Sequence, residues 1–275
     1  MTVINTNVKS LIAQQALTVN NRALSKTMEK LSTGKRINSA ADDAAGLSIS
    51  NKMTAQIRGL NQAVRNANDG ISMVQTVEGA LNEVTNMLQR MRELAVQSVN
   101  GTNSSSDRTS LDAEYDQLSA EISRISDKTT WNGMDVVGSA AGTYNFQAGP
   151  AASDTVAVTF VDIDIAASTV GSAIDIGVAD VSAATSAITH LDNAISTIDA
   201  YRSTLGAVVN RLNYAADNLT NVSTNTAASR SRILDTDYAA ATTELARTQI
   251  IQQAATAMLA QANQSPSAVL SLLQN

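Results

Sequence analysis

The last 28 residues, Thr248 to Asn275, contain no Asp, Glu, Lys or Arg. A helix that is apolar on one face and uncharged all round is poorly suited to facing water. The other end carries a matching feature, an apolar stripe through Ile4, Val8, Leu11, Ile12, Ala16, Val19, Ala23, Met28 and Leu31. Each end therefore expects a partner, either the other end of the chain or another molecule. Ordering so long a segment costs more than burying one stripe returns. Both ends are thus expected to be disordered in a free monomer and to fold on assembly.

Composition narrows the fold. Charged residues are 16% and aromatics 3% of 275 residues, with Ala, Ser, Thr, Asn and Gln filling the gap. That mixture suits thin helical layers packed through small side chains, not a thick core around a deep pocket. Residues 1–40 hold six basic side chains (Lys9, Arg22, Lys26, Lys30, Lys35, Arg36) against Glu29, a local balance of +5. No Lys or Arg occurs between Lys128 and Arg202, where eight Asp fall. The basic residues are spread along an amphipathic helix without interleaved aromatics, so solvated or subunit-facing positions are favoured over nucleic-acid binding. There is no Cys, which removes disulfides, thiol catalysis and Cys-based zinc sites. No cleavable signal pattern and no membrane-spanning apolar run is found.

Between Ile57 and Val99, apolar residues fall at Ile57, Leu60, Val64, Ala67, Ile71, Val74, Val77, Leu81, Val84, Leu88, Met91 and Ala95. Steps alternate between three and four, with an extra three at Val74–Val77, a coiled-coil seam with a stammer. Asn100-Gly101 is expected to end this helix in a left-handed turn. Asp107 is the expected N-cap of a second helix to about Asp127, with Leu111, Tyr115, Leu118, Ile122 and Ile125 inward. Residues 131–180 then read as a small β-hairpin patch. Trp131, Tyr144, Phe146 and Phe160 cluster there, Gly149-Pro150 marks a turn, and Val156, Val158 and Phe160 alternate as in a half-buried strand. Ile163 and Ile165 continue on the opposite parity, which a bulge near Val161 would accommodate. Helical spacing returns from Ile188 through Leu191, Ile195, Ile198, Arg202, Leu205, Val209, Leu212 and Ala216 to Leu219, with Arg202 a polar interruption. The two seams are expected to pair antiparallel. A last helix spans about Asp237 to Gln264, with Ser265-Pro266 expected to kink or end it. The fold class expected is mainly α: an antiparallel long-helix coiled-coil bundle formed by both chain ends, with a small central β-hairpin patch. Residues 1–44 with 235–275 form the terminal helical domain, and 45–234 the helical-bundle domain that includes 131–180.

These segments also resemble a known family. The run Leu31-Ser-Thr-Gly-Lys-Arg-Ile-Asn-Ser-Ala-Ala-Asp-Asp-Ala-Ala-Gly46 is similar to a signature of bacterial flagellins. So are Leu88-Gln-Arg-Met-Arg-Glu-Leu-Ala-Val-Gln97, Arg202-Ser-Thr-Leu-Gly-Ala-Val-Val-Asn-Arg211, Ala228-Ser-Arg-Ser-Arg-Ile233 and the tail blocks Gln249-Ile-Ile-Gln-Gln-Ala-Ala and Val269-Leu-Ser-Leu-Leu273. The resemblance covers about residues 1–135 and 183–275. It implies a structural subunit of a secreted, extracellular helical polymer, the flagellar filament of bacterial motility, or else a flagellin-like hook–filament junction protein. The two ends would pair as filament-core helices, with Leu11, Ile12, Leu31, Ile250, Ile251, Leu259, Leu270 and Leu273 as subunit-assembly residues. Implied partners are further copies of the chain, an export chaperone, hook-junction and cap proteins, and Toll-like receptor 5 of a vertebrate host. The chain departs from the usual pattern at Trp131, where Phe is common, at Lys35, and at its Gln274-Asn275 end, where many members end in Arg.

Candidate sites are weighed on that basis. Arg90, Leu94, Gln97 and Glu114 match positions that the resemblance implicates in receptor recognition. Arg90, Arg92 and Glu93 could equally form solvated helix charge pairs or a subunit contact. Between Gly34 and Gly46, Asp42 and Asp43 fit helix caps in a structured connector better than a cation site. His190 reads as a surface residue. No HExxH, GxSxG or phosphate-loop pattern occurs, so no enzyme, cofactor or metal is expected. Ser153, Thr155, Ser168, Thr169 and Ser172 are candidate O-glycosylation sites by resemblance. The Asp residues of 154–180 read as keeping an exposed strand soluble. A separate possibility is an adhesin whose β-patch is the binding head.

Overall fold

The computed structural model describes residues 6–138, 141–162, 171 and 175–273, without the side chains of 265–273. Among the described residues the long helices are α1 (Val8–Thr33), α2 (Ala44–Val99), α3 (Ser105–Lys128), α4 (Val181–Leu234) and α5 (Tyr238–Leu273). Between α3 and α4 lie strands β1 (Thr130–Trp131), β2 (Met134–Asp135), β3 (Thr143–Gln147) and β4 (Thr155–Thr159). The chain divides into two compact units, one from Met1–Ile57 with Thr224–Asn275 and one from Arg58–Ser223.

In the unit of residues 58–223, the two seams pair antiparallel as expected. Ser223 Oγ meets Asn61 Oδ1 at 2.9 Å and Arg92 meets Asp192 at 2.6 Å, two contacts that share one antiparallel register. The core contains the seam positions Ala67, Val74, Val77, Leu81, Val84, Leu88 and Met91 of α2, and Leu191, Ile198, Leu205 and Leu212 of α4. Residues on both sides of the Val74–Val77 step are fully buried. Helix α3 adds Tyr115 and Ile122 to the same core, with Leu111, Leu118 and Ile125 partly buried beside them.

The boundary devices differ from the expected ones. Helix α3 is capped by Ser104, not Asp107. Asp107 sits three residues in, and each side chain bonds the other's backbone N–H, a reciprocal capping box. A Ser at N-cap with an acid at N3 satisfies two orphan donors where Asp107 alone would satisfy one. Helix α2 stops at Val99, but Gly101 is not left-handed. Its terminal carbonyls are covered by side chains instead: Arg108 Nε donates to Ser98 O at 2.8 Å, and Asn103 Nδ2 to Gln97 O at 2.6 Å. With the orphans satisfied this way, a left-handed glycine has no role.

The β-region comprises two separate hairpins. Asn132 and Gly133, at φ 49° and 78°, form the tight turn between β1 and β2. Strands β3 and β4 pair from Thr143↔Thr159 to Gln147↔Thr155. Val156, Val158 and Phe160 face the core, as their alternation predicts. Val161 N–H donates to the Tyr201 hydroxyl at 3.1 Å and so leaves the ladder. The expected bulge involves Ile163 and Ile165, which lie outside the described residues. The hairpin seats on α2 because Gly70 presents no side chain: a Cβ there would lie 3.0 Å from the Phe146 ring. Arg202 interrupts the α4 seam, and its buried Nε has no hydrogen-bond partner.

In the unit of residues 1–57 and 224–275, α1 pairs with α5. Helix α5 runs through Pro266 to Leu273, so the expected stop is not there. A proline has no N–H for the carbonyl four residues earlier, here Ala262. Asn7 Nδ2 donates to that carbonyl at 2.8 Å, which supplies the missing partner.

Candidate assembly and recognition site

The α1–α5 pair is built on a heptad seam that the sequence stripe does not follow. Ser10, Ala13, Leu17, Asn20, Leu24, Thr27 and Leu31 are the α1 positions turned inward. Ala241, Leu245, Thr248, Gln252, Ala255, Leu259 and Ala262 are their counterparts on α5. The register is set by side-chain hydrogen bonds. Asn20 Nδ2 donates to Thr248 O at 2.9 Å, Gln252 Nε2 to Asn21 Oδ1 at 3.0 Å, and the Tyr238 hydroxyl to Leu31 O at 3.0 Å. Stepping one heptad each way from Asn20–Thr248 sets Ala13 opposite Ala255 and Thr27 opposite Ala241.

The most deeply buried residues of this pair are Asn20, Thr27, Thr248 and Ala241, at 1–8% exposure. The large apolar side chains face outward: Leu11 is 56% exposed, Ile12 62%, Ile250 66% and Met258 65%. Small and short polar residues let the two backbones approach closely, which displaces the bulky branched chains to the outer faces. Of the expected assembly residues, Leu11, Ile12, Ile250 and Ile251 are therefore exposed, while Leu31 and Leu259 are half-buried within the seam. Leu270 and Leu273 lie outside the described side chains. Beside the seam runs an open groove of about 500 Å³, lined by Ile12, Ala16, Val19, Asn20, Ala23 and Arg247 among others.

The connector from Gly34 to Gly46 ties this unit together. Lys35 and Asp235 form an isolated antiparallel backbone β-bridge, in which Arg36 N–H donates to Leu234 O at 2.7 Å and Thr236 N–H donates to Gly34 O at 3.0 Å. Asp42 accepts from Lys26 Nζ at 3.0 Å and from the Ser39 and Asn38 backbones. Lys26, then Ser39, hold its carboxyl well below the usual carboxylate range. Asp43 Oδ1 accepts from Gly46 N–H at 2.8 Å at the start of α2. Asp42 thus ties the connector turn to Lys26 of α1, and Asp43 caps α2. Among the described residues no group of three or more His, Cys, Asp or Glu could hold a metal ion.

On the unit of residues 58–223, Arg90 links two carboxylates, Glu93 at 3.0 Å and Glu114 at 2.9 Å, so it joins α2 to α3. Hydrogen bonds to Glu93 and Glu114, with the charge of Glu114 beside them, raise the Arg90 pKa. Arg92 pairs with Asp192 of α4. All of these side chains are 44–68% exposed. Gln97 is exposed on the same helix. Leu94 is fully buried, so it braces this face from beneath and is not available for contact, contrary to the expectation for it. The helix places residues three apart on neighbouring faces, and Leu94 falls on the core side with Met91. Ser153 and Thr155 are exposed on the β3–β4 hairpin; Ser168, Thr169 and Ser172 lie outside the described residues. His190 is exposed. No helix among the described residues is long and apolar enough to cross a membrane.

Comparison with known proteins accounts for both helical ends. Residues 4–139 match the family model of the bacterial flagellin N-terminal helical region, and residues 188–273 that of the C-terminal helical region. A flagellin of Halalkalibacterium halodurans is 46% identical over 272 residues, covering 99% of this chain and all of that protein. Flagellin B of Vibrio cholerae is 36% identical over an alignment of 371 positions, covering 98% of this chain and 99% of that one. Among solved structures, Bacillus cereus flagellin is 36% identical, with a TM-score of 0.51 over 60% of this chain and 94% of its own. A Vibrio parahaemolyticus chain described as flagellar hook-associated shares the fold alone, at 13% identity and a TM-score of 0.62, over 70% of this chain and all of its own. With both of its helical ends matched and nearly its whole length aligned, the chain belongs to the bacterial flagellin family.

Proposed function

We propose that the outward apolar faces of α1 and α5 are the polymerisation surface of this subunit. The chain is a structural subunit of the bacterial flagellar filament, and it assembles with further copies of itself. One observation carries the proposal for the surface: the terminal pair buries Asn20, Thr27 and Thr248 while exposing Leu11, Ile12, Ile250 and Met258. Each of those large side chains contributes about 1.5–3 kcal/mol when fully buried. Neighbouring copies are the natural cover. Residues 1–44 and 235–275 act as the filament-core element, and 45–234 as the helical bundle that carries the 131–180 patch. Similarity at 46% identity to a flagellin, against 13% to the hook-associated chain, supports a filament subunit over a junction protein.

The further partners follow from the family reading: an export chaperone, cap and junction proteins, and secretion to the extracellular flagellum. The role is mechanical, not enzymatic. The exposed Arg90, Glu114 and Gln97 support recognition by Toll-like receptor 5, with Leu94 holding the helix in place. Ser153 and Thr155 are placed for O-glycosylation, and an intact mass of 28.7 kDa from native filaments would reject it. Electron microscopy after salt-induced assembly tests the main reading. The wild-type chain should form filaments, and Ile12→Asp with Ile250→Asp should not, while the helical signal of residues 58–223 persists. Filaments from the double variant would overturn the assignment of this surface.

A further inference from the structure

The seam between α1 and α5 is tied by side-chain-to-backbone hydrogen bonds from Asn7, Asn20 and Tyr238, so it encodes position as well as adhesion. Its far end holds an unusual pairing. Asn7 Oδ1 accepts from Ser10 N–H at 3.1 Å and so caps α1, while its Nδ2 donates at 2.8 Å to Ala262 O on α5. That carbonyl is the one that Pro266, lacking an N–H, leaves without a helical partner. Any other α5 carbonyl up to that point has its own i+4 donor.

We propose that Asn7 is the register pin of the terminal helix pair, working through the carbonyl that Pro266 frees. The chemistry demands an amide. Ser, Thr and Asp can cap α1 but offer no N–H₂ in the same position, and Gln is a poor N-cap. A pair slipped by one heptad puts the Asn7 amide against a carbonyl already in use and strands Ala262 O. Asn20, 8% exposed and bonded to Thr248 O, is a second pin within the seam, in the manner of a buried Asn that fixes coiled-coil register at a cost in stability. The register decides which outward residues line up across the pair, Ile12 with Met258 on the groove edge for example. The proposal's consequence for assembly rests on reading this surface as the polymerisation element.

The chain has no Cys, so engineered pairs report register without background. In the full chain under assembly conditions, Ala13→Cys with Ala255→Cys reports the native register. Ala13→Cys with Ala262→Cys reports a one-heptad slip, about 10 Å along the axis and beyond disulfide reach in the native pair. The native pair should crosslink and the slipped pair should not. Asn7→Asp should raise the slipped-to-native ratio at least about five-fold. Pro266→Ala alone should raise the ratio likewise, because residue 266 then bonds Ala262 O in every register and slippage no longer strands it, and combining it with Asn7→Asp should add little. An unchanged ratio in Asn7→Asp overturns the proposal. So does an unchanged ratio in Pro266→Ala, which would leave Asn7 as a helix cap alone. Polymer mass is read separately: if the wild-type chain does not polymerise, the assembly reading fails while the crosslink ratios still judge the pin.

Discussion

Single side chains in this molecule mostly terminate helices or join them. Ser104 illustrates the first task. Replacing it with Ala removes the cap and leaves Asp107 without its reciprocal partner. The expected loss is ~1 kcal/mol, read as a lower urea midpoint with unchanged slope. Asp42 illustrates the second. Its folded pKa lies below its ordinary value of 3.8, chiefly because of Lys26. A depressed carboxyl stabilises fully above the unfolded value and loses its contribution as pH falls through the folded one. Acidification should therefore weaken the 26–42 link only well below the ordinary carboxylate range, as pH falls toward the depressed folded pKa, seen as faster exchange of the Ser39 amide, and Asp42→Asn should abolish that pH response. Arg90 belongs to this scale too. Its two ion pairs are exposed, and such pairs are each worth at most about 1 kcal/mol. Arg90→Ala should leave the monomer folded while impairing both receptor signalling and filament formation. Normal signalling by the pure monomeric variant would refute the receptor assignment.

At the scale of elements, the long seams were legible because their periodicity extends over many turns. Leu81, Leu88, Leu191, Leu205 and Leu212 all stand where the three–four spacing puts them, fully or almost fully buried. Less legible was α1, which has apolar residues on more than one face. Its stripe through Ile12 and Val19 is larger in side-chain volume, yet the seam chosen passes through Ala13, Asn20 and Thr27. Hydrophobicity ranks faces by size, whereas close helix approach selects for smallness, and the two criteria disagree here. The passage of α5 through Pro266 was equally hidden, since its compensation comes from Asn7 at the other end of the chain. The burial of Leu94 escaped notice for a plainer reason: likeness to a recognition motif does not say which of its residues touch the partner. The hairpin on α2 offers a further test. Gly70→Ala places a methyl 3.0 Å from the Phe146 ring, so the ring or the strand must move. A cost of about 1–3 kcal/mol is expected, with chemical-shift changes centred on Tyr144 and Phe146.

For the whole molecule, the two compact units differ in what they bury. Residues 58–223 enclose a continuous apolar core with aromatic, leucine and valine side chains fully covered. The terminal unit covers few apolar side chains, Ile37 and Ala241 among them, and leaves its largest ones in solvent. Stability should follow that contrast, since local opening is cheapest where buried apolar contact is least. On the proposed reading, the terminal pair is a shape completed by neighbouring subunits, not a finished domain. Amide hydrogen exchange on monomer and filament tests this most directly. The account predicts strong protection of residues 58–223 in both states, and protection of residues 8–33 and 238–264 in the filament only. Strong protection of those terminal segments in the isolated monomer would contradict it.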